Sequence, residues 1–245
     1  MRHAVWVTAL VVLAAACGGG AEPRPSVMPS GTSPSETPVV SPPASPSLEP
    51  VGLPAGTPAS YAEGVEAADL PSDALVPEGT APSELWPIVA PDGTQFALVA
   101  FAEPGDDPFR RARGLIVWRR FEDAPPWRPV FGISDAADAG VVEIRATIGD
   151  ATNDGSPDAV TFEDTGGSGA CGVWRVLDLV ANAQVFERQT CDTTIDLSSD
   201  PVGLTVREAV FEEGDAHCCP SATRTSVLVL RGSDWKVYST IVQPS

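Results

Sequence analysis

Between residues 84 and 245 the apolar residues gather in short runs whose period is two, and no stretch there holds the 3.6-residue period of a long amphipathic helix. Alternation of this kind sends successive side chains to opposite faces of an extended chain, so this part of the sequence reads as strands. The clearest runs are Phe96-Ala97-Leu98-Val99-Ala100-Phe101, Gly114-Leu115-Ile116-Val117-Trp118, Val173-Trp174-Arg175-Val176-Leu177 and Ser226-Val227-Leu228-Val229-Leu230. After the last run comes Arg231-Gly232-Ser233-Asp234. Glycine in its first central position supplies the positive φ of a type II′ hairpin turn.

The runs repeat as a set. Residues 100–103, 114–120 and 127–131 form one unit; 161–164, 172–179 and 184–189 a second; 210–213, 225–231 and 234–240 a third. Each has room for a further strand at its start, as at 141–148. Units of roughly 50 residues built from antiparallel strands have the layout of propeller blades. Three is one short of the ~4 blades of the smallest closed propellers. The expected fold is therefore all-β: an antiparallel meander of three propeller-blade-like units, as an open or incomplete propeller or an irregular β-sandwich. At about 160 residues, positions 84–245 suffice for one domain with its own core.

The chain begins Met1-Arg2-His3, runs apolar over residues 4–16 and reaches Cys17. A basic start and a short apolar run ending in small residues have the form of a secretory signal; a membrane-spanning helix needs ~20 apolar residues. Leu13-Ala14-Ala15-Ala16-Cys17 resembles the bacterial lipobox. The resemblance implies a diacylglyceryl group on Cys17, which becomes the mature N-terminus and holds the protein to a membrane. The family's leucine three places before the cysteine is Ala14 here, with Leu13 one place further back. Residues 17–60 then read as the lipidated Cys and a Pro/Ser-rich tether with too little apolar surface to fold, and residues 61–83 as a lead-in with a short helix near 62–68. Lys236 is the only lysine among 15 basic residues, the usage of a high-GC bacterium. The expected location is extracytoplasmic, on that cell's membrane.

The formal net charge is -18, and more negative once Arg2 leaves with the signal. Such a surface argues against nucleic acid, whose phosphates need a basic partner, and against docking on anionic lipid heads.

Asp150-Ala151-Thr152-Asn153-Asp154-Gly155-Ser156-Pro157-Asp158 is the stretch richest in chemistry. Oxygen groups at its first, third, fifth and ninth positions suit one hard cation; the seventh offers a backbone carbonyl and glycine at the sixth permits a sharp turn. The loop resembles the calcium loops of FG-GAP/VCBS repeats, with Thr152 where those carry a stronger ligand. The resemblance implies a Ca2+ site at Asp150, Thr152, Asp154, Ser156 and Asp158. The same loop closes without metal through Asx-turn hydrogen bonds, so both readings stand.

Four cysteines remain after Cys17: Cys171, Cys191, Cys218 and Cys219. In an exported domain they imply two disulfides with three connectivities. Cys171 and Cys191 flank a hairpin centred near Asn182 and fall almost opposite one another, which favours that pair and leaves Cys218 to Cys219; the alternatives tie the second unit to the third. His217-Cys218-Cys219-Pro220-Ser221 is similar to the Cys-Cys-Pro-Ser stretch of the LppP/LprE lipoproteins of actinobacteria, which implies a lipoprotein without an assigned reaction. No catalytic set stands out: Ser168 lacks a nucleophile-elbow spacing, and Glu163 and Asp164 are strand neighbours that face opposite ways. The expected role is a non-catalytic binding or structural domain for an extracellular ligand or envelope protein. The alternatives are a cell-envelope hydrolase and a redox or soft-metal-handling protein built on His217, Cys218 and Cys219.

Overall fold

The computed structural model describes residues 52–61, 76–107, 109–121, 124–135, 140–167, 169–216 and 219–245. Every regular element among them is a strand. The first sheet contains β1 (Ala81–Val89), β2 (Gln95–Ala102), β3 (Arg113–Phe121) and β4 (Ala124–Asp135). The second contains β5 (Glu143–Gly149), β6 (Asp158–Asp164), β7 (Gly172–Asp178) and β8 (Ala183–Thr190). The third contains β9 (Thr193–Ser199), β10 (Val202–Val210), β11 (Ala222–Arg231) and β12 (Asp234–Pro244). Each sheet is an antiparallel meander whose spatial order follows the sequence, and none closes on itself. The fold is all-β in three four-stranded units, as the repeated pattern predicts.

Apolar faces decide how the sheets meet. Phe96, Leu98, Leu115 and Val117 of the first sheet share a core with Ile144, Ala159 and Leu177 of the second. The opposite face of the second sheet, with Val160 and Val176, packs on Ile195, Leu204 and Val206 of the third. The middle sheet is thus covered on both sides, and residues 158–163 of β6 are buried without interruption. Full burial on both faces replaces the alternating exposure of a one-sided strand.

The further strand allowed for at the start of each unit is present as β1, β5 and β9, while the third unit's next strand ends at Val210, so residues 211–213, read from the sequence as strand, are not part of it. β1 carries Pro82 and Pro87, and β9 is mostly Thr, Ser and Asp, so neither shows an apolar run. β1 lies at a sheet edge, where a missing N–H is tolerated. The turn 231–234 forms as expected, with Gly232 at φ +64°.

The first sheet's outer face holds a second core of Ala97, Val99, Phe101, Ile116, Trp118 and Trp127. It is covered from the N-terminal side by Leu53, Tyr61 and Val76. Tyr61 N donates to Trp127 O at 2.9 Å, and the chain passes so close at residue 52 that a Cβ on Gly52 would lie 2.5 Å from Gly132 O. The folded part therefore reaches back to residue 52, into the segment read from composition as tether. The rest of that segment, the helix expected near 62–68 and Cys17 lie outside the described residues.

Leu53→Ala removes apolar contact from this cover and is expected to destabilise the domain by about 1–2 kcal/mol. Chemical denaturation measures this; a chain beginning at Tyr61 should lose at least as much.

Candidate functional site

The loop between β5 and β6 is closed by its own carboxylates. Asp150 Oδ1 accepts from the backbone N–H of Asn153 (2.6 Å) and Asp154 (3.2 Å), and its Oδ2 from Gly155 N (3.0 Å). Asp154 Oδ1 accepts from Ser156 N at 2.7 Å. Asp158 Oδ2 accepts from Ala151 N and Thr152 N, both at 2.8 Å. Asn153 and Gly155 take positive φ (64° and 83°), which lets successive N–H groups turn inward. Ala151 is fully buried in the core shared with the third sheet, so the loop is anchored.

Asp158 is fully buried. Burial pushes its carboxyl up to about 6, against the backbone hydrogen bonds from Thr152 and Ala151, and the Asp178 carboxylate opposite it in the ladder adds to the rise. The Thr152 hydroxyl also bears on this carboxyl and lowers it, although neither that hydroxyl nor Asp158 Oδ1 makes a hydrogen bond of ordinary geometry. Two of the oxygens expected to face a cation are therefore buried and loosely matched to one another, while the Asp150 carboxylate is taken up by backbone N–H groups. No group of three or more acidic, His or Cys side chains among the described residues is gathered for a metal.

Cys171 and Cys191 form a disulfide, with Cα atoms 3.9 Å apart. They continue the β7–β8 ladder one step beyond the Gly172–Thr190 pair, the near-opposition that the hairpin predicts. Around the bridge, Asp192 N donates to Gly169 O (2.6 Å) and Thr165 N to Cys171 O (2.9 Å), so the glycine-rich connection is tied down. Ser168, His217 and Cys218 lie outside the described residues. Cys219 is exposed on a turn that Asp215 organises, accepting from Ser221 Oγ (2.6 Å), Ser221 N (3.0 Å) and Glu212 N (2.7 Å). The Ser221 hydroxyl and the Glu212 N–H hold the Asp215 carboxyl below its ordinary value.

Glu163 and Asp164 point to opposite faces of the second sheet. Glu163 is buried against the first sheet in an ion pair with Arg175, whose Nε also reaches Glu187 at 3.2 Å. Asp164 accepts from Arg145 (3.1 Å) and Gly166 N (2.7 Å) on the other side. They do not share a cleft.

One feature was not legible in the sequence: an open cleft of about 360 Å³ where the second sheet overhangs the third. Val206, Leu228 and Val237 supply its apolar lining, and the hydroxyls of the cross-strand neighbours Ser226 and Thr240 meet on its wall at 3.0 Å. Arg188 ends a cross-strand row, Arg145-Phe162-Trp174-Arg188, and pairs with Glu208; Arg224 approaches the same carboxylate at 3.8 Å. Two guanidiniums on one carboxylate leave a local positive charge in an acidic protein. These residues lie on three strands and in two sheets, so no spacing in the sequence marks them. Comparison with protein-family models, curated proteins and solved structures finds no match.

A carboxyl raised in the folded state stabilises it most below the unfolded value near 4, and that stability is lost as pH rises through about 6. Asp158→Asn keeps an acceptor for the two N–H groups and removes the titration. In calcium-free buffer, stability from pH 4 to 7 should fall by roughly 2 kcal/mol more in wild type than in the variant. Parallel pH profiles by denaturant unfolding would contradict this.

Proposed function

We propose that this chain is an extracytoplasmic, membrane-anchored binding domain, held by a lipid on Cys17 and acting through its surface rather than by catalysis. The observation that carries the reading is the Cys171–Cys191 bridge, because such bridges persist in oxidising compartments. The signal-like start and the lipobox resemblance agree with it. The cleft beside β12, apolar within and rimmed by Arg188 and Arg224, offers a place for a ligand. Changing Cys17 to Ser is expected to shift the protein from the membrane fraction to the soluble or secreted fraction. Equal membrane retention of both forms would refute the anchor.

A second reading, calcium at the 150–158 loop, draws support from the buried Asp158 Oδ1 and Thr152 Oγ1, neither of which makes a hydrogen bond of ordinary geometry. With Thr152 neutral, the site would be weak, in the ~0.1–1 mM range of extracellular modules. Calcium at tenfold its dissociation constant would stabilise by about 1.4 kcal/mol, roughly a 3–5 °C rise in midpoint. Asp154→Ala should abolish the rise and Asp234→Ala should leave it. A wild-type midpoint indifferent to calcium against chelator would leave the loop as a set of backbone-capping turns.

A further inference from the structure

From the exposed edge of the third sheet we infer that two copies of this chain associate by antiparallel pairing of β12 with β12. An edge strand offers unpaired N–H and C=O groups to any other strand, and proteins guard such edges with proline, charge or bulges. The other edges here are guarded. β1 carries Pro82, Glu84 and Pro87; β4 carries Pro126 and Pro129; β5 carries Glu143 and Arg145; β8 carries Glu187 and Arg188; β9 carries Asp196 at its centre. β12 pairs only with β11, and from Val237 to Gln243 it has neither charge nor proline. Val237, Tyr238, Ile241 and Val242 are each more than half exposed, and they make up most of the large apolar side chains exposed among the described residues.

The bulge and the proline define the register. The β11–β12 ladder shifts at Tyr238, the extra residue between Val237 and Ser239, and a bulge bends a strand away from a straight partner. Pro244 has no N–H to donate. The free stretch between them is Ser239-Thr240-Ile241-Val242-Gln243, and Ile241 is its midpoint. A two-fold axis there sets Ile241 against Ile241 of the second copy, Thr240 against Val242, and Ser239 against Gln243. Each pair shares one face of the sheet, as antiparallel pairing requires. The stretch matches itself when reversed: polar ends, three β-branched residues between them, an apolar centre. This self-match favours a second copy over an unrelated strand. No carboxylate is brought face to face, and Arg224, beside Val242 in the ladder, sits near the seam. Thr240 and Val242 of the second copy fall on the cleft side, so pairing extends the cleft across both chains.

Sedimentation equilibrium of the full-length chain in density-matched detergent tests this, with hydrogen exchange read at several concentrations. A reversible dimer is expected. It should tighten between low and high salt, because screening weakens the repulsion of two acidic chains. Amide exchange at residues 239–243 should slow as concentration rises. Ile241→Lys and Val242→Lys each change an exposed side chain, so both should fold with an unchanged far-ultraviolet spectrum and raise the dissociation constant roughly tenfold or more. A monomer at all concentrations, a dimer as tight in both variants, or capture of another protein's strand by a monomeric chain would overturn the proposal.

Discussion

The middle sheet is covered on both faces, and much of the structure follows from that. A strand inside such a sheet has no wet side, so a polar residue of β6 between 158 and 163 is costly unless it is matched, and the Thr161 hydroxyl is buried without a hydrogen bond. Val160 and Phe162 are apolar. Glu163 is matched through Arg175, and Asp158 in part, through two backbone N–H groups on Oδ2. Breaking a buried ion pair by removing one partner leaves a stranded charge, so Glu163 and Arg175 are coupled in a way that exposed pairs such as Arg207–Asp196 are not.

The ends of the stack are treated differently. At the first sheet, Leu53, Tyr61 and Val76 cover an apolar face that would otherwise be wet. At the third, β12 is exposed along almost its whole length. One end is finished by the chain itself; the other presents backbone groups, apolar side chains and the arginine-rimmed cleft together.

The period-two pattern located β2, β3, β7 and β11 because their apolar residues are many and none of the four carries a proline. The same pattern is silent on β1 and β9, whose place in a sheet comes from pairing with a strong neighbour. The cysteine spacing around a hairpin gave the Cys171–Cys191 bridge, since register follows from distance to the turn. The loop at 150–158 was visible as a turn rich in oxygen, but its hydrogen bonding depends on side-chain angles that sequence does not encode. The cover formed by Leu53 was hidden by its surroundings: a lone leucine among Pro, Gly and Thr reads as linker until a face is found for it. The cleft was hidden for another reason, because Arg188, Glu208 and Arg224 meet only after two sheets have packed.

The strap from residue 52 to 61 has a bearing on the order of events during synthesis. It leaves the ribosome well before Trp127 and Gly132, the residues whose backbone it lies against. Until β3 and β4 exist there is no surface for it to join, so its docking must follow the closing of the first sheet. A segment that is made early and placed late works as a latch. The outer core of that sheet stays open to solvent, and to any helper protein present, until the latch shuts.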